Sequence, residues 1–131
     1  MLTWDEKYST GVAQLDKQHK SLFQYTNDLG EHIKNNFGSQ ETTNNMIQFL
    51  ERYIKAHFSQ EEACMHKHLC PIATKNKEAH QKFILKFKAA QKKIKNEETS
   101  NKALKELHRF LEEWIREHLC KIDVQLKPCV H

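Results

Sequence analysis

His19, His57, Glu61, His80 and His118 fall where four long segments of the sequence would otherwise carry hydrophobic residues. A lone histidine on an apolar stripe is more often a hydrogen-bonded core residue than a ligand. Five ionisable residues spread over four stripes are too costly to bury without compensation. Convergent imidazoles and carboxylates satisfy one another most simply by binding a cation, and mixed nitrogen and oxygen ligands suit iron, with zinc or manganese as alternatives. The spacing adds detail. His57 and Glu61 are four residues apart, as are Asn76 and His80, so each pair stacks on one helix face. His118 and Asp123 are five apart, an offset of about 140° on a regular helix. Both reach one site only where the helix ends, frays or takes a π-type turn, which predicts an irregularity near residues 119–123. Two carboxylates, Glu61 and Asp123, shared between imidazole-rich positions suit a pair of bridged metals. Nine histidines in 131 residues are about three times average usage.

The elements that must position these residues follow from punctuation. Three glycines and two prolines are too few for a fold that needs a turn every ten residues, which argues against sandwiches, barrels and doubly wound sheets. An arm over residues 1–11 is followed by four predicted helices at about 12–37, 40–67, 71–95 and 100–120. Gly38-Ser39 ends the first, Pro71 suits the first turn of the third, Thr99 or Ser100 caps the fourth, and Pro128 bars a long extension. Helices of matching length with short links predict an all-α, up-down-up-down four-helix bundle forming one domain over 1–131. The expected inward stripes are Leu15, His19, Leu22, Thr26, Leu29 and Ile33; then Met46, Leu50, Tyr53, His57, Glu61 and Cys64. The third is Ile72, Asn76, His80, Phe83, Phe87, Ala90 and Ile94, and the fourth runs from Leu104, Leu107 and Leu111 through Trp114, Ile115 and His118 to Ile122. In antiparallel helices His19 and His80 lie near helix starts while His57, Glu61 and His118 lie near helix ends. All of them therefore fall at one end of the bundle.

The remaining composition narrows the partners. A net charge of +4 arises from 21 basic and 17 acidic residues mixed along the chain, which gives solubility and says little about binding. The run Lys86, Lys88, Lys92, Lys93 and Lys95 reads as a solvated helix end complementing the dipole, not a nucleic-acid patch. No apolar run approaches the ~18 residues of a membrane span, and the N-terminus has acidic residues where a signal peptide carries an apolar stretch. The expectation is a soluble, cytoplasmic protein with no nucleic-acid or membrane partner. Cys64, Cys70, Cys120 and Cys129 form no C-x-x-C pair and are expected to be reduced structural thiols, with oxidation of Cys120 and Cys129 as the alternative. His32, His108 and His131 are expected on the surface, and His66 and His68 in the loop before Pro71.

With these residues in place, the chain resembles the hemerythrin family in its single-domain bacterial form, the bacteriohemerythrins. The resemblance runs from Trp4 to Asp123. The opening W-x3-Y-x2-G-V reads Trp4, Tyr8, Gly11 and Val12, and D-x-Q-H reads Asp16, Gln18 and His19. H-F-x-x-E-E reads His57, Phe58, Glu61 and Glu62. W-x3-H-x4-D reads Trp114, His118 and Asp123, while H-x3-H-x2-F reads Asn76, His80 and Phe83. The resemblance implies two iron ions with a bridging oxo or hydroxo group. One iron would take His19 and His57, the other His80, His118 and whatever stands at residue 76, with Glu61 and Asp123 bridging. It implies dioxygen as the ligand, bound end-on at the iron with fewer protein ligands, in a pocket kept dry by Leu22, Phe58, Trp114 and Ile115. Storage, delivery or sensing of dioxygen is then the expected function, with any protein partner or electron donor unidentified. Asn76 departs from the family's histidine, and the expected consequence is weaker metal retention and a second exchangeable position. The alternatives are a di-iron oxidase or peroxidase, or a nitric oxide handling enzyme, using the site opened by Asn76, and a metal-poor or mononuclear variant for iron sensing or partner binding. The stripes hold no acid-base residue beyond the ligands, which favours a binding protein over an enzyme.

Overall fold

The computed structural model describes residues 2–35, 39–96 and 99–119. Four α-helices, α1 (Ala13–Lys34), α2 (Gln40–Lys67), α3 (Ala73–Lys95) and α4 (Ser100–Trp114), follow a single 3₁₀ turn at Glu6–Tyr8. No strand occurs among the described residues, and the fold is the all-α four-helix bundle that the punctuation predicts. Each helix packs against its neighbours in sequence, and α1 closes the ring against α4. No described helix is long and apolar enough to cross a membrane.

Local chemistry sets the ends. Gly11 has φ 82°, a left-handed conformation that suits glycine and turns the arm into α1. Ser39 accepts a hydrogen bond from the Thr42 backbone N–H at 3.1 Å and caps α2. At the other end of α2, the N–H of Cys70 reaches Met65 O at 2.9 Å and that of Leu69 reaches His66 O at 3.1 Å. This is a Schellman closure with leucine in the left-handed place, φ 52°, that glycine usually fills. Pro71 sits in the turn before α3, two residues ahead of its first residue.

The end of α4 is irregular. Ile115–Leu119 form a π-turn, a few residues earlier than the spacing of His118 and Asp123 predicts. Asp123 lies outside the described residues.

The core is a stack of Leu22, Phe23, Leu29, Ile47, Leu50, Ile54, Phe58, Phe83, Phe87, Ile94 and the apolar face of α4. A smaller cluster of Leu15, Met65 and Cys70 plugs one end of the bundle. The α2 stripe differs from expectation by about one residue: Ile47, Ile54 and Met65 are buried, whereas Met46, Tyr53 and Cys64 are only partly so. The reason lies in the partner helix. Tyr53 turns outward to pack with Tyr25 and the exposed Phe49, ring centroids 5.2 and 6.1 Å away, while Ile54 fills the space toward Leu22 and Phe83.

The arm is tied down from both sides. Asp16 accepts from Ser9 Oγ at 2.6 Å, from Thr10 N at 2.7 Å and from Thr10 Oγ1 at 2.9 Å. Trp4 and Tyr8 pack edge-on or tilted against Phe23, and Leu2 exchanges two backbone hydrogen bonds with the Asn27 amide.

Two expectations need correction. His32 and His108 are not bare surface residues: His32 Nε2 lies 2.8 Å from Thr43 Oγ1, and His108 fills the space where a Cβ on Gly30 would stand, 2.7 Å from its Nε2. Among the cysteines, Cys64 is a free thiol but Cys70 is disulfide-bonded, because a residue brought to the end of the bundle by folding has neighbours that its spacing in sequence does not reveal.

Candidate metal centre

Between the main core and the small end cluster lies a polar layer. His19 from α1, His57 and Glu61 from α2, Asn76 and His80 from α3, and His118 from the π-turn are all buried there, none more than 3% exposed. Their convergence follows from the antiparallel packing, which places the starts of α1 and α3 beside the ends of α2 and α4.

Glu61 is the hub. Its Oε2 lies 3.1 Å from His19 Nε2 and 3.4 Å from His57 Nε2, and the two nitrogens are 3.0 Å apart. Its Oε1 lies 3.1 Å from His80 Nε2. The ligand atoms therefore form two groups, His19–His57–Glu61 and Glu61–His80–His118, each within 4.8 Å, with one glutamate common to both. Ligand atoms about 2.1 Å from one ion are about 3.0 Å apart at right angles and about 3.4 Å apart at a tetrahedral angle. The spacings in the first group span that interval. Two histidines and a carboxylate on one face of an ion, with places left open, is the ligand set of non-haem iron(II).

Second contacts orient the rings. His57 Nδ1–H donates to Gln18 Oε1 at 2.7 Å, while the Gln18 amide N–H donates to Gln60, which settles which way the amide points. His80 Nδ1–H donates to Glu62 Oε2 at 3.3 Å. In both rings Nδ1 is tied to a neighbour outside the centre and Nε2 is turned toward Glu61, the orientation in which Nε2 can ligate an ion. His80 Nε2 has no hydrogen-bond partner among the described residues although it approaches Oε1. A ring nitrogen and a carboxylate oxygen 3.1 Å apart are spaced as two ligands of one cation would be. The imidazole of His80 is stacked on Phe58, centroids 3.7 Å apart, and that of His118 on Trp114, 4.3 Å apart.

The charges suit metal binding. Burial alone would raise the Glu61 carboxyl, but the imidazoles of His19, His57 and His80 around it outweigh burial and hold it well below the ordinary range. Burial lowers His57. Burial, with the charges of neighbouring histidines, brings His118 down to about 3. At neutral pH the layer thus presents an ionised Glu61 beside the imidazoles of His57 and His118, which burial keeps uncharged, as metal ligation requires. Cys64 is not part of it: burial and the Glu61 charge raise its thiol.

The structure gathers every candidate that falls within the described residues. Asp123 lies outside them. His66, in the last turn of α2 and not in the loop expected for it, and His68, at the C-cap, are exposed and belong to neither ligand group. Asp16, part of the D-x-Q-H run, serves the arm instead. Gln18 and Glu62, which aim the rings, and Met65, which packs below Asn76, had no assigned role in the sequence reading. Gln18 and Glu62 stand in the D-x-Q-H and H-F-x-x-E-E motifs, which mark the positions without a role, and the signal for Met65 is a helical step from Glu61.

Asn76 occupies its expected place but turns its amide nitrogen inward. Nδ2 donates to Glu61 Oε1 at 2.8 Å and to Met65 Sδ at 3.2 Å, while Oδ1 has no partner among the described residues.

Comparison with known proteins agrees with this arrangement. Residues 10–130 match the model of the hemerythrin HHE cation binding domain. A bacteriohemerythrin of Clostridium acetobutylicum is 29% identical over 130 residues, covering 94% of this chain and 96% of that protein. One from Methylococcus capsulatus is 28% identical, covering 99% and 97% respectively. A myohemerythrin of Theromyzon tessulatum is 23% identical over 95% of this chain and 89% of its own length.

Proposed function

This chain belongs to the hemerythrin family, and from that membership we propose that it is a non-haem di-iron protein that binds dioxygen reversibly for storage, delivery or sensing. The observation that carries the reading is Glu61: one buried carboxylate whose two oxygens face different histidine sets. In this reading His19, His57 and Glu61 Oε2 hold one ion, and His80, His118 and Glu61 Oε1 hold the other. Asp123, outside the described residues, would be the second carboxylate at the centre. A pair of ferrous ions bound there would supply the two electrons that dioxygen takes up on binding and returns on release.

The protein's own groups do the rest. Gln18 and Glu62 keep the His57 and His80 rings in the tautomer and orientation that ligation needs. Phe58 and Trp114 cover His80 and His118 and border an apolar cavity of about 10 Å³, closed further by Leu22, Leu111 and Ile115. That volume admits at most about one water between apolar walls, so the interior side of the centre has little room for water. Water exclusion disfavours proton delivery and loss of reduced oxygen species, which favours a reversible binder. On the outer side a groove of about 620 Å³ between α2 and α3, lined by Lys55, Ser59, Glu62 and Gln81, leads from solvent to the edge of His80. It is the route by which a small ligand approaches.

The test is to load the full chain with ferrous iron without air, add oxygen and record the visible spectrum. A band that rises with oxygen, fades on sparging with argon and survives repeated cycles, at two irons per chain, is expected. Steady oxygen consumption with peroxide release overturns the reading.

A further inference from the structure

The two oxygens of Glu61 are unequal. Oε2 faces only the imidazole nitrogens of His19 and His57 among the described side chains. Oε1 faces His80 and already accepts a 2.8 Å hydrogen bond from Asn76 Nδ2. That bond has two effects. An amide nitrogen has no lone pair to give a metal, so residue 76 supplies no donor as oriented. The same N–H also competes with an ion for Oε1. The amide is held in this orientation by a second contact to Met65 Sδ at 3.2 Å, and its buried oxygen has no partner among the described residues. Turning the amide so that Oδ1 faces the centre would break both bonds to Nδ2.

Resting on the reading that the centre holds two ions, we propose that Asn76 makes loading sequential and so couples dioxygen binding to the supply of ferrous iron. The His19–His57–Glu61 position fills first and retains its ion. The Glu61–His80–His118 position fills second, more weakly, since its ion must displace the Asn76 hydrogen bond from Oε1 and gains no ligand from residue 76. At low iron the chain stands as a one-ion form. Because dioxygen needs two electrons from the pair, the one-ion form does not carry it, and oxygen capacity follows the occupancy of the second position.

The experiment is an anaerobic calorimetric titration of the metal-free full chain with Fe(II), with a parallel Mn(II) titration read by electron paramagnetic resonance. Two steps of one ion each are expected, with dissociation constants roughly ten- to a hundredfold apart, the range that loss of a supporting group around a metal produces. The manganese spectrum should be that of an isolated ion after one equivalent and a coupled pair after two. Asn76→His and the near-isosteric Asn76→Asp each add a donor, and should draw the second constant toward the first while leaving the first step in place. Far-ultraviolet helicity confirms that each variant is folded, and the aspartate variant keeps the side-chain volume if histidine does not fit. Two ions entering together with one constant, or an unchanged separation in the folded variants, overturns the inference. If two ions enter together and oxygen uptake stays reversible, only this inference fails. If no second ion enters at any concentration, the di-iron reading fails with it.

Discussion

Glu61 and the side chains that touch it carry the chemistry, and the groups one contact further out decide how well they do it. Gln18 is half-buried and binds no ion in the proposed centre, yet its 2.7 Å contact to His57 Nδ1 holds the proton away from the site. Gln18→Ala should leave the helical content unchanged and weaken the tighter ion about 10–100-fold in a competitive chelator titration. Unchanged affinity would show that packing alone orients His57. Protonation gives a second expectation at this scale. In the metal-free protein burial holds His118 at about 3, against about 6.5 in an unfolded chain. Between those values the unfolded state binds the extra proton, so stability falls as the pH falls, by about 1.4 kcal/mol per pH unit for one such group. Glu61 acts in the same direction, because a carboxyl held well below its ordinary value loses its stabilising ionisation on acidification. The urea midpoint of the metal-free protein should therefore drop steadily below about pH 6.5. A level midpoint down to pH 4 would contradict neutral burial of His118.

At the scale of elements, the closure of α2 and the π-turn after α4 place the ends of two helices at the centre. Leu69 is 83% exposed and sits at φ 52°, so it contributes little packing while adopting a conformation that costs a side chain roughly 1–2 kcal/mol. Leu69→Gly should raise stability by about 1 kcal/mol, seen as a higher urea midpoint with an unchanged slope. A loss of stability would mean that Leu69 packs in a way its exposure hides. The π-turn over Ile115–Leu119 has a different use. It widens the last described turn of the chain just where His118 must leave the apolar stripe of α4 and enter the polar layer, with Trp114 stacked against it. The spacing of His118 and Asp123 called for an irregularity because a regular helix cannot present positions five apart on one face. Its location came from packing, since Ile115 stays in the core while His118 turns to the centre.

For the whole molecule, ion binding and folding are linked. The ligands come from four elements and are assembled only in the folded bundle, so ions that bind the native state stabilise it by mass action. At a free ion concentration one hundred times the dissociation constant the gain is about 2.7 kcal/mol for one site, which for a chain of this size corresponds to roughly 10 °C in thermal midpoint. Adding ferrous iron anaerobically should raise the midpoint in a concentration-dependent way and a chelator should return it to the metal-free value. A midpoint indifferent to both would show that the polar layer does not bind the ion.

Periodicity made the four helices and the candidate ligands legible, because an amphipathic helix declares its buried face by steps of three and four residues, and an ionisable residue on that face stands out. The shift of the α2 stripe to Ile47, Ile54 and Met65 was not legible. Aromatic and aliphatic residues one position apart satisfy the same local pattern, and only the surface of α1 decides that Tyr53 goes outward to Tyr25. The motifs contain Gln18 and Glu62, but their role in aiming the His57 and His80 rings was not legible, since a polar residue next to a ligand shows no role until its partner on another helix is known.

The sequence by itself determined the all-α bundle, the level at which the histidines meet and the absence of a histidine at residue 76. These are properties of residue type and of spacing along a helix. Only the tertiary structure decided that Glu61 directs its two oxygens to different histidine sets and that the Asn76 amide turns its nitrogen toward one of them. Those facts depend on side chains 15 to 42 residues apart, and a local pattern carries no information on which of two oxygens, or which end of an amide, faces a neighbour across the core.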